Sequence, residues 1–402
     1  MSEDRLQPGV WFRPGERPPP AWRLVLVNVL SRSRPRQVKD AIAALLEMLA
    51  GLPEGRVREL EGEPAEGVAA TRRAFAGLSG MLGYGASFFD SAGHDPPLSS
   101  AARPAFLSSL PTERDPFAAV GWSPRATRDG EADLALALSG PDPAAVNRAA
   151  VELCKLIADE ALPLAVVASF DGFARSDGRG WLEFRDGVSN IEPSQRARAI
   201  TAGPDPEWLG GGTSMAFLRF EIDLARWRRL SRAEQELIVG RDKLSGSAVI
   251  GVRRTPPSRA SPIAGEPIGA APSPSERADW IEPPLSDDPL VEVSHIHRAN
   301  RSRASPDAPA ALRIYRQGYD FLESIGPDGP RLGLNFVSFQ SDLAVISRLM
   351  SLPGWFGDAN FGGPAEPDSG SPSPRLISLL AGGYYAVPPR GRPIPGAGLF
   401  ER

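Results

Sequence analysis

An α+β fold is what this sequence predicts, and three observations carry the prediction. Short apolar runs of strand length alternate with segments whose apolar residues recur every three or four positions. In the first half they follow the order strand, helix, strand, strand, helix, strand, the split β-α-β order of a ferredoxin-like unit. The second half repeats that order. At 402 residues the chain exceeds the roughly 100–200 of a common single domain. It therefore reads as two ferredoxin-like domains with antiparallel sheets, residues 1–175 and 176–402.

Each element has a local reason. "AWRLVLVNVL" (21–30) is apolar, β-branched and short, which suits a buried strand. In "RQVKDAIAALLEMLAGL" (36–52), Val38, Ala41, Ile42, Leu45 and Leu49 form one helical stripe, which Gly51 and Pro53 end. "MLGYGASFF" (81–89) is a glycine-interrupted strand, and "ADLALALSG" (132–140) puts Leu134, Leu136 and Leu138 on one strand face. Asp142-Pro143 opens a helix, Asp as N-cap and Pro in the first turn, with Val146, Ala150, Leu153 and Ile157 along one side. "LPLAVVASF" (162–170) closes the first set.

In the second set, "TSMAFLRFEI" (213–222) is a strand and "DLARWRRLSRAEQELIVG" (223–240) a helix capped by Asp223. "LRIYRQGY" (312–319) and "GLNFVSFQ" (333–340) are strands, "SDLAVISRLMSL" (341–352) a capped helix, and "GGYYAVPP" (382–389) the last strand. Two stretches rich in Pro, Gly and Ser, 253–284 and 357–375, are expected as surface insertions without regular structure.

The 42% hydrophobic content is ample for buried cores, and a net charge of −4 supplies no basic field, which argues against nucleic acid as a partner. The single cysteine, Cys154, excludes an internal disulfide and a zinc-type cysteine cluster. "MSEDRLQPGVWFRPGERPPP" lacks the basic patch and apolar run of a secretory signal, and no apolar run reaches the roughly 18 residues of a membrane span. The expectation is a soluble, cytoplasmic protein with no membrane partner. Oligomeric state, a homo-oligomer included, is left open.

Few residues suit metal or acid-base chemistry. The histidines are His94, His295 and His297. In an extended segment the pair in "SHIHRAN" (294–300) would point both rings to one side, as a metal chelate requires, and a three-histidine site would also need His94. "GGGTSM" (210–215) precedes a strand and lacks the Lys-Ser/Thr ending of a phosphate loop, which excludes that mode of nucleotide binding. No Gly-x-Ser-x-Gly elbow is present. "EFRDGVSNIEP" (183–193) places charged residues on an Asp-Gly turn, a common turn signal when met alone.

Taken together, several segments resemble the dye-decolourising peroxidase family, haem enzymes built on a pair of ferredoxin-like domains. "YGASFFD" (84–90) looks like its Gly-rich segment, "EFRDGVSN" (183–190) is similar to its Gly-x-x-Asp-Gly motif, and "SHIHRAN" resembles its His-Ile-Arg-x-x-Asn-Pro ligand segment. "YRQGYDF" (315–321) is similar to its Arg-Arg-Gly-Tyr strand. "GLNFVSFQSDL" (333–343), "AGGYYAVP" (381–388) and "GAGLF" (396–400) follow in the family's order. The resemblance spans nearly the whole chain.

It implies a haem-dependent peroxidase that uses hydrogen peroxide to oxidise an organic reductant, with haem b in the C-terminal domain. It further implies that His295 binds the haem iron, that Asp186 takes the acid-base role and that Arg316 takes the cationic role beside it. A positioned carboxylate can take a proton from peroxide and return it to the departing oxygen, work worth about 10²–10⁴-fold. A permanent guanidinium steadies negative charge as the O–O bond breaks and offsets the cost of an ionised Asp186. Strand alternation puts Leu334 and Phe336 on one face, where they would wall the haem pocket. Bulky reductants could react through oxidisable side chains, with Tyr319, Tyr384, Tyr385, Trp280 and Trp355 as candidates.

The chain departs from the family pattern at four positions. Glu183 stands where glycine is usual, which implies either a different turn into Asp186 or a second carboxylate near the haem. His297 replaces an arginine and would compete as ligand or meet a haem propionate. Arg301 replaces a proline, and Gln317 the second arginine of Arg-Arg-Gly-Tyr. Two further readings are a haem-binding protein of low peroxidase activity, serving haem handling or a specialised biosynthetic oxidation, and a non-haem metal protein using His295 and His297.

Overall fold

The computed structural model describes residues 5–12, 16–89, 103–110, 122–123, 125–126, 130–187, 190–191, 193–253, 266–269, 286–301, 314–351, 361, 375–391 and 393–400. In the first half, strands β1 (Ala21–Val29), β2 (Ser79–Gly85), β3 (Leu134–Gly140) and β4 (Leu164–Phe173) alternate with helices α1 (Pro35–Gly51), α2 (Ala65–Ala74) and α3 (Pro143–Asp159). After α4 (Pro193–Ile200), the second half runs β5 (Thr213–Ile222), α5 (Leu224–Trp227), α6 (Arg232–Val239) and a β6 (Val249–Arg253), β7 (Glu266–Gly269) pair. Next come α7 (Pro289–Glu292), α8 (His295–Arg301), β8 (Tyr315–Gly326), β9 (Gly329–Gln340), α9 (Leu343–Ser351) and β10 (Ile377–Val387).

The strand order is β4-β1-β3-β2 in one half and β10-β5-β9-β8 in the other, so both halves have the same ferredoxin-like arrangement. Their edges also meet. β2 pairs with β10 through Tyr385↔Gly85 and Ala386↔Tyr84, and β4 pairs with β8 at Phe173↔Asp320, closing one eight-stranded antiparallel barrel. Closure satisfies the edge N–H and C=O groups that two separate sheets would leave unpaired.

Alternation divides every strand between two cores. Trp22, Leu24, Phe217, Tyr319, Val337 and Phe339 are buried in the inner cluster, where Trp22 and Tyr319 stack with ring centroids 5.2 Å apart. The N-terminal segment joins them. Gln7 Nε2 donates to the carbonyls of Leu82 and Pro388, and Gln317 Nε2 donates to that of Gly9 at 3.0 Å. On the outside, the α1 stripe of Val38, Ile42, Leu45 and Leu49 shares a cluster with Val25, Val27, Leu136 and Leu138. Each such side chain contributes roughly 1.5–3 kcal/mol by leaving water.

Several expectations change. The single helix over 223–240 is two, because Ser231 starts a new one: its hydroxyl accepts from the Glu234 N–H while the Glu234 carboxylate accepts from the Ser231 N–H. The expected insertion 253–284 contains regular structure, since Glu266–Gly269 pairs with Val249–Arg253. Much of that stretch and of 357–375 lies outside the described residues. "SHIHRAN" is helical from His295 rather than extended. Among the described residues, no helix is long and apolar enough to cross a membrane.

Candidate active site

A pocket lies on the outer face of the second sheet, opposite the barrel interior. β5 contributes Phe220 and Ile222, β9 Leu334 and Phe336, and β8 Arg316, Gly318 and Asp320. Each set is spaced by two because only alternate residues face outward. The 180–186 loop closes one side with Trp181, Phe184 and Asp186, while His295 from α8, Phe361 and Ile377 complete the wall. About 1040 Å³ of space lies between these walls, the open mouth included.

Hydrogen bonds within the loop and to β8 deliver Asp186 to this place. Trp181 Nε1 donates to the Phe321 carbonyl at 3.0 Å and the Asp186 N–H to the Gly178 carbonyl at 2.9 Å. Gly187 has φ +80 and donates its N–H to Asp186 Oδ1 at 2.7 Å, turning the chain back. Asn190 then grips Arg316 reciprocally: its Nδ2 donates to the Arg316 carbonyl at 2.8 Å, and its Oδ1 accepts from the Arg316 N–H at 3.0 Å. One short segment, "RDGVSN", thus positions the carboxylate and anchors the strand bearing the guanidinium. Gly318 makes room for the carboxylate, since a Cβ there would collide with the Asp186 carboxylate and meet Leu334 Cδ1 at 3.3 Å.

Glu183 does not line the pocket. It adopts φ +64, the left-handed conformation that glycine reaches freely, and its carboxylate pairs with Arg175 at 2.9 Å. Arg175 also pairs with Asp177 at 2.6 Å. The second pocket carboxyl is Asp320, 5% exposed. Burial pushes its pKa from 3.8 up to about 7, with the negative charges of Asp186 and Glu183 adding and the Trp181 backbone N–H and Arg175 opposing. Burial lowers the Arg316 pKa, and the charge of Asp186 raises it.

Of the residues expected at the site, Asp186, Arg316, His295, Leu334 and Phe336 meet in this pocket. His297 does not line it. Two positions along a helix turn the chain by roughly 200°, so the His295 and His297 rings diverge, where an extended segment would have aligned them. His297 is buried with Nδ1 2.9 Å from Ser294 Oγ, and His295 faces the Phe361 ring at 5.8 Å. His94, Trp280 and Trp355 lie outside the described residues, and Tyr319, Tyr384 and Tyr385 are buried. Among the described residues, no three His, Cys, Asp or Glu side chains are grouped to hold a metal ion. Sequence reasoning missed Asp320, although strand alternation from Arg316 would have found it; no local signal marks Phe361.

These residues fit a haem. One imidazole offers an iron ligand, the remaining walls are mainly aromatic and aliphatic, and a guanidinium and carboxyls supply the polar groups of a pocket at the upper end of cofactor size.

The architecture is that of peroxidase structures. It aligns with the DyP-type peroxidase of Cellulomonas bogoriensis at a TM-score of 0.68 and 23% identity, over 96% of this chain and 94% of that one. Ferric DtpA of Streptomyces lividans aligns at 0.67 and 20% identity, over 99% and 96%. Residues 177–392, more than half the chain, match the family model "Dyp-type peroxidase, C-terminal", and the chain belongs to the Dyp-type peroxidase family. It is 27% identical over 363 residues to a dye-decolorizing peroxidase of Thermobifida fusca (strain YX), covering 84% of this chain and 73% of that protein. A deferrochelatase of Escherichia coli (strain K12) is 28% identical over 188 residues, only 38% of its own length.

Proposed function

We propose that this chain is a haem b peroxidase in which residues 176–402 form the haem domain, His295 holds the iron, and Asp186 and Arg316 handle peroxide. The observation that supports this most is the convergence of these three side chains on one apolar-walled pocket. Haem, when bound, supplies the redox-active iron at which the peroxide bond is cleaved.

The chain's own residues supply the rest. Asp186 accepts the proton of the peroxide O–H and returns it to the departing oxygen, which leaves as water. Arg316 sets a fixed positive charge beside that carboxylate and stabilises the negative charge that develops on oxygen. Leu334, Phe336 and Phe220 keep the surroundings dry, which strengthens both electrostatic effects. Ser294 engages His297 Nδ1 inside α8's own packing, which supports His295 as the ligand. Electrons come from an organic reductant.

The test is the absorption spectrum of the purified protein before and after haem and then one equivalent of hydrogen peroxide. A Soret band that shifts with peroxide is expected. His295→Ala should lose or greatly weaken haem binding, while Asp186→Asn keeps haem and lowers peroxide reactivity at least about tenfold. Full haem retention by the first variant refutes the ligand, and unchanged kinetics in the second removes Asp186 from the mechanism. The deferrochelatase match favours a second reading, haem handling, for which the Soret band would be inert to peroxide.

A further inference from the structure

We propose that Trp181 is the residue through which electrons enter this site from aromatic reductants too large to pass the pocket mouth. The proposal rests on the peroxidase reading above and names the position at which such a reductant is oxidised.

Placement singles it out. Trp181 is the one Trp or Tyr among the described residues that line the pocket. It is half-buried, so it borders both the pocket and solvent. Two bonds hold it there. Its Nε1–H donates to the Phe321 carbonyl on β8 at 3.0 Å, and its backbone N–H donates to the Asp320 carboxyl. The Phe173 ring meets it edge-on, with centroids 5.8 Å apart. A ring fixed in this way links pocket and surface without moving.

Two other oxidisable rings near the pocket are set up differently. Trp227 lies behind the wall, 2% exposed, against Phe184 at 6.2 Å and Phe361 at 6.3 Å. The Lys243 ammonium stands 5.9 Å from its ring. The charged neighbours of that ammonium, Glu183 and Glu236 against Arg232 and Arg179, offset one another, and its hydrogen bond goes to the neutral Gln235 Oε1. In an effective dielectric of roughly 20, a positive charge about 6 Å away disfavours a radical cation on the ring about 100-fold. Among the described residues Trp227 Nε1 also has no hydrogen-bond partner, so nothing accepts from the more acidic N–H of an oxidised indole. Tyr319 sits on the opposite face of β8, 1% exposed and stacked on the equally enclosed Trp22. A reductant reaches neither ring. Trp181 alone combines an acceptor on its indole N–H with contact to solvent.

The electrons and protons balance. Reducing one hydrogen peroxide to two waters consumes two electrons and two protons. With a phenol as reductant, each molecule gives one electron, releases one proton and leaves as a phenoxyl radical, so two phenols serve each peroxide. In each transfer the peroxide-oxidised site takes one electron from the Trp181 indole. The radical cation left there keeps its N–H proton, because the Phe321 carbonyl is an acceptor and not a base, and a phenol at the surface returns the electron.

The experiment uses the haem-loaded full chain and one phenol as reductant, either free or attached to a soluble polymer. With peroxide and no reductant, electron paramagnetic resonance should show a radical whose hyperfine splitting changes when the tryptophans are ring-deuterated. Trp181→Phe should lose that signal and Trp227→Phe should keep it. In steady state, Trp181→Phe should lose at least about tenfold more kcat/KM toward the polymer-bound phenol than toward the free one, and Trp181→Tyr, again oxidisable, should recover most of the difference. A radical that survives Trp181→Phe, or one lost in Trp227→Phe, overturns the assignment. So does an equal decline toward both phenols, or an equal decline in the Phe and Tyr variants, the mark of a structural role, since both remove the bond to Phe321. A wild type that binds haem but is inert to peroxide overturns the peroxidase reading and this assignment with it, and is distinguished by failing before any substitution is made.

Discussion

Replacing Asp320 by Asn should stabilise the haem-free chain at pH 8 and leave its stability unchanged near pH 4. The carboxyl is 5% exposed and its pKa rises from 3.8 to about 7 on folding. The folded state therefore holds a proton that the unfolded state releases between those values, so stability falls as pH rises through this window. Below it both states are protonated, and the group contributes no difference. Above it both are ionised, and the folded state carries the full cost of a buried charge beside Asp186. At 1.36 kcal/mol per pKa step, that cost is about 4 kcal/mol. Asn removes the charge and keeps the shape. Chemical denaturation of both proteins from pH 4 to pH 8 measures the difference, which should open from near zero to several kcal/mol in favour of Asn. A constant difference, or a variant less stable at pH 8, would refute the assignment of Asp320 as a buried acid.

Two other substitutions test the framework of the site. Gly318→Ala puts a methyl group where the Asp186 carboxylate lies, and a displacement of that size can lower reactivity about 100-fold; peroxide kinetics in the Soret band should show this with haem still bound. Arg219, 3% exposed, donates to Asn335 at 2.6 Å and Glu323 at 2.7 Å and lies over the Phe321 ring at 3.4 Å. Asn335 in turn donates to the Asp171 carbonyl at 2.8 Å, bridging toward β4 where β4 and β8 share a single residue pair. Arg219→Ala should therefore destabilise the fold by about 3 kcal/mol in a guanidinium titration.

Much of this molecule is legible from local sequence. Strand alternation, the caps at Asp142 and Asp223, and the α1 stripe act over a few residues, so they can be read without knowing the fold. The same holds for Leu334 and Phe336, whose spacing of two sends both to the pocket, and for Asp186 and Arg316, whose motifs are short and ordered. Ser231 shows the limit of periodicity: the apolar pattern runs through it, but a capping box restarts the helix there.

What only the tertiary structure decided depends on groups far apart in the chain. Barrel closure joins Gly85 to Tyr385 and Phe173 to Asp320, contacts whose entropy cost and hydrogen bonds no local window contains. The seven-residue helix at His295 is too short to be set by propensity, and its placement against Gly240 and Phe361 makes His295, rather than His297, the pocket residue. The identity of Asp320 is written in the sequence, but its acidity is not: burial under the 180–186 loop and the approach of Asp186 turn an ordinary carboxylate into an acid that holds its proton near neutral pH.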